Sequence, residues 1–203
     1  MLLYLIILIE IIGGYLVADF LSGLFHWSRD TYCTPHTPII GFSLIWPSRL
    51  HHIKPRYIIE QSDLSLCISS GLWTCIWWIP LVLMYQITWF LTALFVFITL
   101  NDVVHKYAHT TRAETPKYII VLQNIGLLQT HKEHHLHHTE PFETHYCPMT
   151  PYVNPILERM GFWRRLENLI EGIFGLKPRA QIDLWVLDES ESESSAGVKF
   201  VQF

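Results

Sequence analysis

Long apolar stretches alternate with polar loops along this chain. Residues 1 to about 25 carry Glu10 as their only charge before Asp19, and residues 64–104 carry no charge before Asp102. A transmembrane helix needs about 20 mostly apolar residues. The first stretch therefore fits one membrane span, and the second is long enough for two.

Pro80 and Gln86 indicate a turn inside the second stretch, so we expect its helices at about 64–84 and 87–105. Tryptophans lie on both sides of this turn, as in the aromatic belt of a membrane interface. The chain is therefore predicted to cross a membrane three times.

The first stretch has no basic residue before Arg29, so it lacks the basic region of a signal peptide and is predicted to be a retained span. Within lipid, Glu10 should face protein or water. The Gly13–Gly14 pair allows a second helix to approach closely. A buried helix of a soluble core is the alternative.

Two later segments are predicted to be helices outside the spans. Residues 117–130 are apolar but too short to cross, which favours a re-entrant or interfacial helix. Residues 157–175 keep helical apolar spacing and are predicted as one amphipathic helix, either at the membrane interface or on a plain protein surface. The acidic, serine-rich residues 186–203 predict a disordered tail, which leaves 1–185 as one membrane domain.

Composition agrees with an all-α, multi-pass membrane protein. Half of the residues are hydrophobic, and the mean hydropathy is +0.25. A net charge of -4 gives no reason to expect a nucleic-acid partner. The four cysteines form no CxxC pair, so neither a zinc knuckle nor a disulfide framework is indicated.

Histidines are the chemically distinctive residues. Five of the 12 lie within residues 131–138, where helical spacing would place His134, His137 and His138 on one face. His105 and His109 share a face in the same way at the end of the third span. Imidazoles grouped like this predict a metal site. A solvated polar turn is the alternative, and an internal, interrupted run does not resemble a purification tag.

The distribution of positive charge tests this prediction. All 14 lysines and arginines lie outside the three predicted spans, with none in residues 1–14 or 80–90. Positive residues favour the cytoplasmic side, so the N-terminus is predicted outside and both basic regions inside. With three spans, eight histidines then share the cytoplasmic face of the membrane: His26, His51, His52, His105, His109, His134, His137 and His138.

Eight imidazoles exceed what one zinc ion binds, so two metal ions are predicted. A histidine site beside lipid favours iron and oxygen chemistry on an alkyl or acyl chain, because such C–H bonds need a reactive cofactor. A metalloprotease is disfavoured because Lys132 replaces the glutamate of the His-Glu-x-x-His motif. The Pro-Cys-x-x-Cys motif of zinc deaminases is also missing from the sequence.

Several motifs in order resemble the lipid desaturase family, which includes plasmanylethanolamine desaturase, the CarF and Kua proteins and a plant plastid phosphatidylglycerol desaturase. The resemblance covers about residues 15–185. It rests on residues 18–27 with Asp30, on 51–55, on 105–110, on His134-x-x-His137-His138 through Cys147, and on 161–167 through 177–180. The stretch 60–65 departs from the family pattern.

The resemblance implies a di-iron, O2-dependent desaturase in which the eight histidines hold the metals and act in catalysis. Asp30 and Asp102 would orient ligand imidazoles. Electrons would come from an external carrier of the cytochrome b5 or ferredoxin type. The implied substrate is a phospholipid, 1-O-alkyl phosphatidylethanolamine, and the product is its vinyl ether, a plasmalogen.

Two alternatives remain at this stage. The enzyme could desaturate another phospholipid chain, for example of phosphatidylglycerol, or the protein could bind metal without catalysis. The membrane is expected to be the endoplasmic reticulum or a bacterial inner membrane, with the active site facing the cytoplasm.

Overall fold

A computed structural model describes residues 1–178 of the chain. The predicted acidic tail and the last residues of the predicted 1–185 domain lie outside this part. Every regular element among the described residues is helical, which confirms the all-α prediction.

Three helices are long and apolar enough to cross a membrane, as predicted. They are α1 (Leu2–Thr31), α3 (Asp63–Met84) and α4 (Trp89–Ala108). Between α1 and α3, a π-helical turn (Gly41–Ile45) leads into α2 (Trp46–Ile53), and a 3-10 turn (Tyr57–Glu60) follows. After α4 come α5 (Lys117–Asn124), α6 (His131–His134), α7 (Val153–Arg159) and α8 (Phe162–Phe174).

Hydroxyl side chains fix where the second and third spans begin. The Ser62 side chain accepts a hydrogen bond from the Ser65 N–H at the start of α3, and Thr88 accepts one from Leu91 at the start of α4. Such N-caps satisfy backbone donors that the first helical turn leaves open. The predicted boundaries of both helices are therefore close to the observed ones.

Helix α1 packs closely on α4 through its glycines. A methyl group on Gly14 would lie 2.7 Å from the Phe90 carbonyl oxygen and 2.8 Å from the Ala93 Cβ, so only glycine permits this approach. The Glu10 carboxylate accepts a hydrogen bond from the Phe90 N–H at the start of α4, at 3.2 Å. The prediction that Glu10 faces protein or water is thus confirmed, and its charge lies at the positive end of the α4 dipole.

The single helix expected over residues 157–175 is wrong, since two helices occupy this region. Gly161 has φ 58° and separates α7 from α8. A left-handed residue ends an α-helix, and glycine adopts that conformation at little cost. The break allows α7 and α8 to run in different directions beside the end of α1.

The main cluster of buried apolar side chains lies where α1 meets α7 and α8. Its members are Trp27, Tyr146, Cys147, Leu157 and Trp163. The buried Asp19 carboxylate ties residues 149–150 to α1, accepting hydrogen bonds from the Met149 N–H (2.8 Å), the Thr150 N–H (3.0 Å) and the Thr150 hydroxyl (2.6 Å). These contacts hold the segment after the histidine run against the first span.

Candidate metal centre

The eight predicted histidines converge from four parts of the chain. Helix α1 supplies one near its C-terminal end, α2 supplies two, α4 and the residue after it supply two, and α6 with the turn that follows supplies three. Seven are buried and His138 is half-buried. Because α1 and α4 carry their histidines near their C-terminal ends, the cluster lies at one end of the spans.

The histidines form two groups of candidate metal ligands. The first group contains five: His51, His105, His109, His134 and His138. Its Nε2 atoms face one another, with His105 2.9 Å from His134, His109 3.0 Å from His134, and His138 3.2 Å from His134.

The second group combines three histidines with a carboxylate: His26, Asp30, His52 and His137. One Asp30 oxygen lies 3.3 Å from His26 Nε2, 3.2 Å from His52 Nε2 and 3.6 Å from His137 Nε2. Asp30 was expected to orient an imidazole from outside. The structure instead places it among the candidate ligand atoms.

The spacing of these atoms fits metal ions. Two imidazole nitrogens, each about 2.1 Å from one ion and at right angles, would lie about 3 Å apart. The Nε2 separations in the first group match this distance, and within each group every ligand atom lies within 4.8 Å of the others. His26 Nε2 and His51 Nε2 are also buried without a hydrogen-bond partner among the described residues. The nitrogen-rich donors suit iron, zinc or copper rather than calcium or magnesium.

Backbone carbonyls fix the orientation of two of the rings. His51 Nδ1 donates to the Ser48 carbonyl at 2.5 Å, and His137 Nδ1 donates to the Thr144 carbonyl at 2.8 Å. With the proton on Nδ1, the Nε2 lone pair points towards the group centre, as a metal ligand requires.

Five of the clustered imidazoles outside the spans have lowered pKa values and are neutral at pH 7: His51, His52, His109, His134 and His138. Burial lowers the pKa of His52 to about 4 and that of His109 to about 3. Burial, followed by repulsion from neighbouring imidazoles, also lowers the pKa of His51, His134 and His138. Neutral imidazole is the form that binds a metal, so these five side chains can act as metal ligands at neutral pH.

A cavity of about 380 Å³ opens onto both groups. His52 from the second group and three histidines from the first line it, together with Phe142. The ring centroids of His52 and His138 lie 4.6 Å apart, so the two groups are in contact at its wall. A small molecule or the end of an alkyl chain in this cavity would reach both.

The structure places some predicted site residues differently from the sequence expectation. His134, His137 and His138 do not form one group, because α6 ends at His134 and the following turn sends His137 into the second group. The Asp102 carboxylate accepts hydrogen bonds from the Ser70 hydroxyl (2.5 Å) and the Asn101 amide (3.0 Å). These contacts join α3 to α4, and the role of Asp102 in orienting an imidazole stays a prediction.

The remaining histidines lie outside both groups. His131 Nδ1 donates to the Ala108 carbonyl at 2.9 Å, and His131 lines the cavity with His135. His36 and His145 belong to neither group within the described chain. Helical spacing alone could not separate these residues from the ligands.

The divergent stretch 60–65 contacts α4 beside the site. Lys106 Nζ donates to the Gln61 carbonyl and to Asp63, both at 2.7 Å, and the Tyr107 hydroxyl donates to Asp63 at 2.6 Å. These contacts position the α4 segment that carries His105 and His109.

Comparison with known proteins gives one family. A lipid desaturase domain matches residues 15–181. A protein of Acanthamoeba polyphaga mimivirus named as a probable fatty acid desaturase is 48% identical over 194 residues, covering 96% of both chains. Mouse plasmanylethanolamine desaturase 1 is 36% identical over 195 residues, covering 89% of this chain and 70% of the mouse protein.

A third relative is a chloroplastic fatty acid desaturase 4-like protein of Arabidopsis thaliana. It is 30% identical over 171 residues, covering 83% of this chain and 58% of the plant protein. No solved structure matches the chain.

Proposed function

Because this chain belongs to the lipid desaturase family, we propose that it is a di-iron, O2-dependent oxidoreductase that converts 1-O-alkyl phosphatidylethanolamine to the vinyl ether lipid. One observation carries the proposal: two groups of buried ligand atoms are in contact at one end of three apolar helices. The name of the mouse relative supports the choice of lipid.

The two ligand groups would hold one iron ion each. Iron in such a site supplies the oxidising power to remove hydrogen from an unreactive alkyl chain. The substrate loses one hydrogen from each of the first two carbons of the alkyl chain, counted from the ether oxygen, and a C=C bond forms between them. These hydrogens, with two electrons and two protons from an external carrier, reduce one O2 to two waters.

The protein itself supplies orientation and exclusion of water. The Ser48 and Thr144 carbonyls hold two ligand rings in place, and the buried Asp30 carboxylate would offset the charge of a metal ion in the second group. The cavity beside the groups is the space in which the reacting carbons would lie. Fixed geometry of this kind is what positions a reactive centre against one bond of a long chain.

The charge distribution supports the orientation in which the site faces the cytoplasm, at the endoplasmic reticulum or a bacterial inner membrane. No lysine or arginine lies in residues 1–28 or 57–105, and Arg29 and Lys106 lie in the last turns of α1 and α4, at the end of the spans where the histidines cluster. On this side the site can meet a soluble or membrane-anchored electron carrier of the cytochrome b5 or ferredoxin type.

Lipid mass spectrometry tests the proposal. The chain would be expressed in cells that lack their own plasmalogen-forming desaturase and are fed isotope-labelled 1-O-alkylglycerol. We expect labelled, acid-labile vinyl ether phosphatidylethanolamine, its loss in His138→Ala, and its retention in His36→Ala. Folded, iron-loaded protein that forms no vinyl ether would exclude this substrate.

A second candidate is desaturation of an acyl chain in another phospholipid, such as phosphatidylglycerol. The names of the mimivirus and Arabidopsis relatives favour it. New double bonds in ester-linked chains, found in the same lipid extracts, would distinguish it. Bound iron without any reductant-dependent change in lipids would favour a non-catalytic metal-binding protein.

A further inference from the structure

A second cavity, of about 230 Å³, lies at the junction of α7 and α8 and carries charges of both signs. Arg164 contributes a positive charge to its wall, and Glu143 and Glu158 contribute negative charges. The other lining residues are Pro141, Thr144, Gly161 and Trp163. A cavity with this composition suits a ligand that is itself zwitterionic.

The positive part of the cavity combines a helix end with an arginine. Gly161 immediately precedes the 13-residue α8 and Trp163 lies in its first turn, and the α8 N-terminus has no side-chain cap among the described residues. Helix N-termini bind phosphate through open N–H groups and the helix dipole. Arg164 pairs with Glu143 (3.2 Å) and Glu167 (2.8 Å), and its five N–H donors leave capacity for a phosphate.

Trp163 lines the cavity, and its indole N–H is buried. Trp163 is 2% exposed, yet its Nε1 has no hydrogen-bond partner in the described part of the chain. Buried polar groups in proteins normally have a partner. An anionic oxygen that reached this donor from the cavity would supply the missing partner.

The negative part consists of two carboxylates from different segments. One Glu158 oxygen accepts the His145 N–H at 3.0 Å, which fixes the side chain. Glu143 forms an ion pair with Arg164 at 3.2 Å. A primary ammonium can donate three hydrogen bonds to such carboxylates, whereas a quaternary ammonium can donate none.

One layer of side chains separates this cavity from the candidate metal centre. Thr144, which lines it, accepts the hydrogen bond from His137 through its carbonyl. Tyr146 fills the space between, with its ring centroid 5.0 Å from that of His137 and 5.0 Å from that of Trp163. A group held in the cavity would thus be near the second ligand group.

Helices α7 and α8, which contribute to the cavity, also expose apolar side chains, and this favours a lipid as the source of the ligand. Ile156 and Met160 on α7 are 58% and 52% exposed, and Leu169 and Ile173 on α8 are 56% and 63% exposed. Helices that carry both charged and exposed apolar side chains are typical of a membrane interface.

We propose that this cavity holds the phosphoethanolamine headgroup of the lipid substrate, with the phosphate at the α8 N-terminus and Arg164 and the ammonium at Glu143 and Glu158. This assignment rests on the proposed function and adds the residues that would select ethanolamine over other headgroups.

Binding without turnover provides the test. The full chain in detergent micelles would be titrated with 1-O-hexadecyl lysophosphatidylethanolamine and the matching lysophosphatidylcholine, and complexes counted by native mass spectrometry. In a Glu143→Gln, Glu158→Gln variant, we expect the preference for ethanolamine to fall about tenfold. Glutamine keeps an acceptor for the His145 N–H. Glu171→Gln, an exposed change on α8, serves as the matched control and should keep the preference.

Each result separates the two proposals. Vinyl ether formation in cells with an unchanged headgroup preference in the double variant would overturn the headgroup site and leave the function standing. Selective binding lost in the double variant, without vinyl ether in cells, would support the site and exclude the substrate. Equal affinity for glycerophosphoethanolamine and the lysolipid would overturn the assignment to a lipid.

Should the double variant fail to fold, the single Glu158→Gln variant is expected to show a smaller loss of the same preference, and an unchanged preference would overturn the site.

Discussion

The Asp30 carboxylate lies 3.2 Å from Nε2 of His52, so an acidic side chain stands among the imidazoles of the second ligand group. Ser48 approaches the other carboxylate oxygen at 3.5 Å. A carboxylate in this position would donate a lone pair to a metal ion, as an imidazole does, and would also balance part of the metal's charge, which a neutral imidazole cannot do.

We expect Asp30→Asn to lose most of the metal from one group and to lower activity about 100-fold or more, because ligand and near-ligand changes have effects of this size. Iron per protein, measured by inductively coupled plasma mass spectrometry, would fall towards half of the wild-type value. Asp102→Asn is the matched control, since its contacts are to Ser70 and Asn101. Full iron content in Asp30→Asn would exclude Asp30 as a ligand.

Acid should destabilise the metal-free protein. The folded-state pKa values of His52, about 4, and His109, about 3, lie below the unfolded value of 6.5. The unfolded chain therefore binds more protons between these values, and stability falls as pH drops below about 6.5. For each such histidine, the free energy of unfolding falls by roughly 1.4 kcal/mol for every unit that the pH drops within that window.

Thermal unfolding of metal-free protein in detergent at pH 7.5, 6.0 and 5.0 would measure this effect. The melting temperature should decrease steadily below pH 6.5, and metal-loaded protein should resist the decrease because bound metal competes with protons. A melting temperature that is constant from pH 7.5 to 5.0 would contradict the buried, neutral state of these imidazoles.

Packing of α1 against Cys147 should depend on Gly23. A methyl group there would lie 3.0 Å from the Cys147 Cα and N atoms and closer still to its sulfur. Gly23→Ala is expected to cost about 1–3 kcal/mol through overpacking and to weaken metal retention. In Gly172→Ala the added methyl group meets nothing within 4 Å, so alanine should stabilise α8 by up to about 1 kcal/mol.

Thermal unfolding of both glycine variants would show whether the loss of stability comes from the contact at position 23 or from replacing a helical glycine as such. Adding Cys147→Ala to Gly23→Ala removes the sulfur and should restore part of the loss. Equal melting temperatures for the two single variants would show that α1 can move away from Cys147 freely.

The sequence predicted the three spans well because lipid imposes a length and a composition that each helix meets by itself. It also identified all eight clustered histidines. Their helical spacing, and the positions of the lysines and arginines relative to the spans, can be read directly from the sequence. The Gly161 break was missed, although a glycine within the predicted helix was a signal for it.

The division of the site into two groups could not be predicted in the same way. His134, His137 and His138 are close in sequence, but the short α6 and the turn after it direct His137 towards Asp30. Asp30 and Asp102 looked equivalent as acids near histidines. Only the packing of α1, α2 and α4 shows that one lies among the ligand atoms and the other between two spans.

The origin of the ligands in four separate segments has a consequence for biogenesis. The second group needs His26 from the first span and His137 from beyond the third, so neither a partly synthesised chain nor one lacking its last span can assemble it. Metal capture would thus be a late event, and it would close long loops whose ends would otherwise diffuse apart. A bound metal would then be found only in chains in which every span has been inserted.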